Sequence, residues 1–265
     1  MPLEILLGVY AAALGLIIGS YLNVVIYRLP LGLSTVLPRS RCPGCGAAIR
    51  AADNVPVISF LLLGGRCRSC RTRISWRYPL IEAVTSALFL ASFLRFGPTP
   101  QALGAALFCA LLVVLAMIDV DHMILPDVLT WPGIALGILL QPFLSWASLW
   151  EGTWGAVAGS VLGATLGAGI LLAVWLAWYL IRHEEGMGLG DVKMLAFIGA
   201  FLGWKGVLVS LFFAALSGAV VGLALMALGG IGAKAKLPFG AFLSLGGLIA
   251  LFAGEPIVQA YARLL

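Results

Sequence analysis

The sequence predicts an all-α integral membrane protein with about eight transmembrane helices and a small, cysteine-rich, zinc-binding cytoplasmic loop. Only 10% of its residues are charged, compared with about 25% in a soluble domain. The mean hydropathy is +1.09, and stretches such as 152–181 and 206–233 carry no charge. A hydrocarbon core of about 30 Å requires about 20 apolar residues per helix. These observations exclude a soluble domain.

Eight apolar segments supply the helices in order. The first, 4–27, has no basic region before it and no clear cleavage site, so we expect a retained helix and not a signal peptide. The sixth segment is short and the fifth is long, which indicates a tilted or broken helix. The segments after the first lie at 79–96, 101–118, 126–146, 153–181, 190–204, 206–230 and 238–262.

The distribution of basic residues predicts how these helices are oriented. The segment 28–78 holds nine of the sixteen Lys and Arg residues, and loops rich in these residues stay in the cytoplasm. Eight spans then place both termini in the periplasm and the turns 119–125, 182–189 and 231–237 in the cytoplasm. We therefore interpret the net charge of +5 as topology and not as nucleic-acid binding. The predicted cytoplasmic side also holds Arg182, Lys193, Lys234 and Lys236. The predicted periplasmic side holds Arg95, Lys205 and Arg263.

Two pairs of cysteines in this basic loop predict a structural zinc site. Cys42, Cys45, Cys67 and Cys70 form two C-x2-C units that 21 residues separate, which suits tetrahedral zinc with four thiolates. Metal binding would supply the folding energy of this small, arginine-rich loop. The alternative of two disulfides is disfavoured by a cytoplasmic location. Cys109 stands alone in an apolar span, where we expect a small core residue.

Four aspartates lie at or inside the span boundaries, where a carboxylate is costly enough to indicate function. Asp119 follows an unbroken apolar run and lies deepest in "MIDVDHMILPD" (117–127). Asp121 suits a solvated loop, and Asp127 suits the positive end of a helix dipole. Asp191 ends "GMGLGD" (186–191) and begins a helix, and a simple capping acid needs no such run of glycines. The pattern therefore favours chemistry at Asp119 and Asp191.

Two aspartates from different spans, meeting at a wet interface, suit peptide hydrolysis. One carboxylate acts as general base on a water while its protonated partner polarises the carbonyl, because two close carboxylates cannot both ionise cheaply. Gly188 and Gly190 then leave room for a substrate backbone, with Lys193 as a further candidate for support. Asp121 competes with Asp119 as the partner of Asp191. The spacing G-x-G-x-G-D, without a preceding strand, matches neither a dinucleotide motif nor a P-loop.

Taken in order, several motifs resemble those of type IV prepilin peptidases, which are bifunctional leader peptidases and N-methyltransferases. These enzymes belong to the G-x-G-D class of intramembrane aspartyl proteases. The resemblance covers nearly the whole chain. It rests on "GSYLNVVIYRLP" (19–30), "DNVPVISFLLLGGRCRSC" (53–70), "ISWRYPLIE" (74–82), "IDVDHMILPDVLT" (118–130) and "GMGLGDVK" (186–193).

The resemblance implies that the protein removes the leader of a prepilin or pseudopilin on the cytoplasmic side of the bacterial inner membrane, in pilus assembly or type II secretion. It implies Asp119 and Asp191 as the catalytic pair, with Asp121 as the competitor for the first role. The three domains that it implies are the first helix at 1–27, the four-cysteine loop at 28–78 and a seven-helix peptidase domain at 79–265.

The resemblance also implies methylation of the new N-terminus with S-adenosylmethionine, an activity linked to the four-cysteine loop. The residues expected to contribute are Gly19, Asn23, Gly65 and Glu82. Two alternatives stay open: a peptidase without methylation, and a cation transporter or metal sensor that uses the cysteines and aspartates as a route. Against the transporter, the acids gather at one face and do not line the spans. We expect a substrate helix and the lipid bilayer as partners, and no nucleic acid.

Overall fold

The computed structural model describes residues 3–147, 152–183, 188–229 and 236–264. Gly186 of the glycine motif and Lys234 of the basic set lie outside these described residues. The chain divides into two compact units, Met1–Val114 and Leu115–Leu265. The first unit holds the four cysteines of the loop, and the second holds the four aspartates at the predicted span boundaries.

Seven helices in the described part of the chain are long and apolar enough to cross a membrane, which confirms the predicted all-α membrane fold. One boundary differs in a way that matters: α4 continues through His122, so Asp119 lies inside the helix and not in the turn predicted at 119–125. A short helix, α2, lies in the cysteine loop. The helices are α1 Leu3–Arg28, α2 Ile58–Leu62, α3 Arg77–Phe96, α4 Pro100–His122, α5 Asp127–Leu144, α6 Thr153–Arg182, α7 Leu189–Ala227 and α8 Phe239–Ala262.

Helix α7 takes the place of the two separate spans expected at 190–204 and 206–230. It has 39 residues, which would make it about 58 Å long if it were straight, nearly twice the thickness of the hydrocarbon core. Its backbone breaks at Gly203, where φ is 69° and ψ is −174°. The predicted boundary therefore coincides with a break inside one element, and the long helices number seven instead of eight in the described part of the chain.

The second half of α7 packs antiparallel to α8. A Cβ at Gly246 of α8 would lie 2.1 Å from the carbonyl oxygen of Ser210. Nearer the start of α8, a Cβ at Gly222 would lie 3.2 Å from the side chain of Leu237. The end of α7 therefore lies beside the start of α8.

The start of α7 lies at this same end of the second unit. Leu125 packs against both Gly190, in the first turn of α7, and Gly240, in the first turn of α8. Since α7 begins and ends near the start of α8, its two halves run in opposite directions. The break at Gly203 is the point where the chain reverses, so this one element is able to cross the membrane twice.

Buried polar side chains satisfy carbonyl groups next to the break. Gln141 Nε2 donates to the carbonyl oxygens of Ala200 at 3.1 Å and Phe201 at 2.7 Å, and Ser160 Oγ also donates to Ala200. Both donors are fully buried. Because an unpaired backbone group costs several kcal/mol in hydrocarbon, these bonds stabilise the break at Gly203.

Glycines bring helices into close contact within each unit. In the first unit, a Cβ at Gly19 of α1 would lie 2.7 Å from the Cα of Glu82 in α3. In the second, a Cβ at Gly163 of α6 would lie 2.3 Å from the carbonyl oxygen of Gly199 in α7. Small residues are what allow membrane helices to approach this closely, since packing and not hydrophobic burial holds them together.

Candidate active site

Asp119 and Asp191 are carried by different helices of the second unit. Asp119 lies one turn before the end of α4, and Asp191 lies in the first turn of α7, where its N–H donates to the carbonyl oxygen of Gly188 at 3.2 Å. The two residues are only 5% and 8% exposed. Acids that serve only as helix caps or loop residues normally keep their carboxylates in water, so this burial indicates a built site.

The first turn of α8 closes the site around Asp119. The Oδ2 atom of Asp119 accepts a hydrogen bond from the N–H of Ala241 at 3.0 Å. A Cβ at Gly240 would lie 2.9 Å from the same oxygen and 3.0 Å from Leu125, so a larger residue at this position would push the carboxylate aside. The free N–H groups at a helix start favour negative charge. Helix α8 therefore both positions and stabilises the Asp119 carboxylate.

Asp119 and Asp191 lie at neighbouring helix ends, one turn before the end of α4 and in the first turn of α7. They are also bridged by a shared neighbour, since Leu125 packs against Gly190, beside Asp191, and against Gly240, beside Asp119. A pair of carboxyl groups that share one proton offers an acid and a base at the same place. The structure thus brings together the two acids that the sequence singles out.

The remaining acids of this segment occupy different positions. Asp121 is exposed, and two residues along a helix from Asp119 it projects from a different face. Asp127 begins α5 and forms an ion pair with Lys193 of α7. Lys193, a candidate for catalytic support, is therefore engaged by Asp127 and ties the start of α5 to the first turns of α7.

The glycines before Asp191 have two different environments. A Cβ at Gly190 would lie 3.1 Å from the Cβ of Leu125, so this glycine permits the close approach of α7 to the segment after α4. Gly188 is exposed and extended, with φ −75° and ψ 142°, and among the described residues a Cβ there would meet only the Gly190 nitrogen at 3.9 Å. Within that part of the chain, the backbone of Gly188 is accessible beside Asp191.

The four cysteines of the loop converge on one point. Their sulfur atoms all lie within 4.8 Å of one another, and the sulfurs of Cys42 and Cys70 are 3.7 Å apart. Zinc–sulfur bonds of about 2.3 Å at the corners of a tetrahedron separate the sulfurs by about 3.8 Å. A hydrogen bond with the Thr72 hydroxyl lowers the pKa of Cys70 to about 6, which favours the thiolate form that a metal needs. All are free thiols, and the donor set fits zinc.

The two C-x2-C units fold in the same way. In each unit, the N–H of the first cysteine donates to the carbonyl oxygen of the residue five positions later in the chain. These bonds join Cys42 to Ala47 and Cys67 to Thr72, both at 2.9 Å. The residue after the second cysteine is left-handed in both, with φ of 70° at Gly46 and 60° at Arg71. Repetition of one tight turn is how a pair of such units directs four sulfurs at one ion.

Three of the four residues expected to contribute to methylation lie together where α1 meets α3. Gly19 packs on the backbone of Glu82, and Asn23 Nδ2 donates to the carbonyl oxygens of Gly19 at 3.3 Å and Tyr78 at 3.2 Å. The fourth, Gly65, lies in the loop with φ 66°, and its own close contact is with the ring of Phe60.

Glu82 also reaches into the cysteine loop. Its Oε2 accepts a hydrogen bond from the N–H of Val57 at 2.7 Å, and Glu82 is only 8% exposed. Val57 has φ 60° and ψ −48°, a rare conformation for a β-branched residue and a strained one. The buried carboxylate thus holds a strained turn of the loop against α3.

Sequence reasoning missed Gly240, Ala241 and Val57. Pro238 before the last span is a signal for a helix start, but nothing in the local sequence relates that start to an acid 122 positions earlier. The unusual backbone conformation of Val57 is held by a hydrogen bond to Glu82, which lies 25 positions later in the chain. Both features follow from tertiary contacts, which patterns of residue type do not report.

Two family profiles match the chain. Residues 13–96 match the "Bacterial Peptidase A24 N-terminal domain", and residues 106–223 match the "Type IV leader peptidase family". No solved structure matches the chain.

Several curated proteins are similar to this chain along most of its length, and each is named prepilin leader peptidase/N-methyltransferase. The protein of Burkholderia pseudomallei (strain 1026b) is 39% identical over 275 residues, covering 93% of this chain and 85% of its own. The protein of Pseudomonas aeruginosa is 38% identical over 273 residues, covering 94% of this chain and 91% of its own. The protein of Myxococcus xanthus (strain DK1622) is 42% identical over 232 residues, covering 87% of this chain and 67% of its own. On these matches, the chain belongs to the type IV leader peptidase family.

Proposed function

We propose that the protein cleaves the leader from type IV prepilins or pseudopilins with Asp119 and Asp191 as its catalytic dyad, and then methylates the new N-terminus. The observation that carries this proposal is the burial of both acids, from different helices, around Leu125, which packs against Gly190 beside Asp191 and against Gly240 beside Asp119. Membership of the type IV leader peptidase family and the names of the relatives support the reaction.

The dyad performs both proton transfers of peptide hydrolysis. One aspartate takes a proton from the attacking water, and its protonated partner donates a hydrogen bond to the scissile carbonyl as negative charge develops on that oxygen. The proton then passes to the leaving amine. Ala241 fixes the orientation of Asp119, and the exposed backbone of Gly188 is available to the substrate backbone beside Asp191.

We place Asp119 in the dyad and leave Asp121 outside it. Asp119 is buried and accepts a hydrogen bond from Ala241 at the start of α8, whereas Asp121 is exposed. A catalytic pair needs the mutual desolvation that only the buried position provides. Lys193 then acts indirectly, by fixing the first turns of α7 through Asp127.

The protein is a multi-pass inner-membrane protein, and we propose that the dyad faces the cytoplasm with both termini in the periplasm. The concentration of nine of the sixteen basic residues in 28–78 supports this orientation. We also keep the three-part division into a first helix (1–27), a four-cysteine loop (28–78) and a peptidase domain (79–265).

Zinc in the cysteine loop and a methyl donor are the two cofactors we propose. The four thiolates would hold zinc in a closed, structural site, since they leave no position for a reactant. S-adenosylmethionine would supply the methyl group. Glu82 is a buried carboxylate suited to a cation, either the donor or the new ammonium terminus, and Gly19, Asn23 and Gly65 would shape its surroundings.

Mass spectrometry of a prepilin incubated with the purified protein tests both activities. With the protein alone, we expect the mature pilin with a free amine. With S-adenosylmethionine added, we expect the same product carrying one extra methyl group. An unmodified product in both reactions would remove methylation and leave a simple peptidase, and an uncleaved prepilin would refute the proposal.

A further inference from the structure

Two nitrogens of the Arg68 guanidinium bind the carboxylate of Asp53. Arg68 lies between Cys67 and Cys70, in the second C-x2-C unit. Its Nε donates to Oδ1 of Asp53 at 2.9 Å and to Oδ2 at 3.0 Å, and its Nη2 donates to Oδ1 at 2.6 Å. The side chain of Asp53 is only 11% exposed. Ion pairs near a protein surface contribute little unless their geometry is bidentate, as it is here, so this pair joins the second C-x2-C unit to Asp53.

Asp53 belongs to a turn that Ser59 closes. The Ser59 hydroxyl donates to the carbonyl oxygen of Ala52 at 2.9 Å and accepts a hydrogen bond from the N–H of Val55 at 3.0 Å. Ser59 is only 6% exposed, so water does not compete for these bonds. A shift of Asp53 is therefore transmitted to the rest of the turn, residues 52–59.

The same turn presents the N–H of Val57 to the Glu82 carboxylate. Glu82 lies on α3, where Gly19 of α1 packs on its Cα, and its Oε2 accepts the Val57 bond at 2.7 Å. The left-handed conformation of Val57 persists only because surrounding contacts hold it. Glu82 supplies one of these contacts, and the turn that Arg68 fixes through Asp53 supplies the other.

We propose that Asp53 is a positioning residue that couples the cysteine cluster to Glu82. The contact path runs from the second C-x2-C unit through Arg68 and Asp53 to Val57 and Glu82. An ordered cluster thereby sets where the Val57 N–H meets the Glu82 carboxylate. This coupling rests on the proposed function, in which Glu82 contributes to methylation. It gives a closed, four-thiolate site an influence on methyl transfer although none of its ligands meets a reactant.

The contact path lies apart from the residues proposed for peptide cleavage. All of its members belong to the first compact unit, Met1–Val114, whereas Asp119 and Asp191 belong to the second. We therefore expect a break in the path to affect methylation and leave cleavage of the leader intact.

Zinc affinity tests the coupling without use of either enzymatic activity. Zinc is titrated into the full-length, reduced protein in competition with a chelator, after thermal unfolding has shown that each variant is folded. We expect about tenfold weaker binding in Asp53→Asn and in Glu82→Ala, the size of effect that follows loss of an outer partner of a metal site. The double variant should also bind about tenfold more weakly, because the second change meets a path that is already broken.

Arg68→Gln separates the contact path from simple electrostatics. Loss of the negative Asp53 and loss of the positive Arg68 have opposite effects on the attraction of a cation, whereas both changes break the path. We therefore expect Arg68→Gln to weaken zinc binding as Asp53→Asn does. Arg73→Gln is the matched control, since Arg73 is another exposed arginine of the loop, and it should not weaken zinc binding.

Three results of the zinc titration would overturn the coupling. A loss of about a hundredfold in the double variant would show that Asp53 and Glu82 act independently. Wild-type affinity in either single variant would show that the residue has no influence on the cluster. Stronger zinc binding by Arg68→Gln would show that charge, and not the contact path, governs the affinity.

Mass spectrometry of the prepilin product provides a second readout. With S-adenosylmethionine present, we expect Asp53→Asn to cleave the leader at the wild-type rate and to methylate about tenfold more slowly, while Arg73→Gln retains both activities. Normal methylation by Asp53→Asn, or an equal loss of both activities, would contradict the positioning role while the proposed function stands. If the wild type cleaves without methylating, the proposed methylation falls, and the zinc affinities alone decide whether the coupling exists.

Discussion

A side chain at Gly240 would press directly on the dyad. Its Cβ would lie 2.9 Å from Asp119 Oδ2 and 3.0 Å from Leu125. We expect Gly240→Ala to displace the carboxylate and lower kcat for prepilin cleavage by roughly 10²-fold, the effect of a misplacement of about 1 Å. Single-turnover cleavage of prepilin measures this directly.

Gly169→Ala is the control for this substitution, because a Cβ there would meet nothing within 4 Å in the part of the chain that the structure describes. It should leave cleavage and thermal stability at wild-type levels. If the Gly240→Ala protein, like this control, cleaves prepilin at the wild-type rate, the start of α8 does not position Asp119.

At the scale of residues, the sequence indicates the chemical groups and leaves their partners unknown. Asp119 and Asp191 are recognisable because a carboxylate in an apolar chain is costly. The choice between Asp119 and Asp121 needs burial, which depends on α4 continuing to His122. The hydrogen bond from Ala241 to Asp119 joins residues 122 positions apart and cannot be read from any local pattern.

At the scale of elements, the cysteine loop depends on its proposed metal. Phe60 is buried there, but Leu61 and Leu62 are 62% and 82% exposed, so the loop buries little apolar surface and metal binding would contribute to its folding energy. We expect stoichiometric zinc in freshly purified, reduced protein, and loss of that zinc in Cys67→Ser. Elemental analysis of the two proteins makes the comparison.

Cys109→Ser is the matched control, since Cys109 is fully buried in α4 and lies outside the cluster. It should retain wild-type zinc. An absence of metal from the wild-type protein would refute the zinc site, and equal zinc in Cys67→Ser would show that the ion lies elsewhere.

The α7 break shows what sequence patterns capture at this scale. Gly203 and Lys205 interrupt the apolar run and predict a boundary there. They do not predict that the chain stays in one element with a non-helical glycine. That outcome depends on Gln141 and Ser160, which bond to the carbonyls of Ala200 and Phe201 from other helices.

At the scale of the whole molecule, the reversal at Gly203 decides on which side the chain ends. If α7 crosses twice, the chain crosses eight times and both termini lie in the periplasm. We expect alkaline phosphatase fused to the C-terminus to be active, because this enzyme needs the oxidising periplasm to form its disulfides. A fusion after His183 should be inactive and serves as the cytoplasmic control. Activity only in the second fusion would contradict the orientation.

The central claim is that Asp119 and Asp191 together cleave the prepilin leader, and cleavage by single variants tests it most directly. Prepilin is incubated with wild type, Asp119→Asn, Asp191→Asn and Asp121→Asn, each first shown to be folded by thermal unfolding, and the products are read by mass spectrometry. We expect no mature pilin from the Asp119 and Asp191 variants and wild-type processing by Asp121→Asn. Normal cleavage by either dyad variant, in a folded protein, would contradict the account.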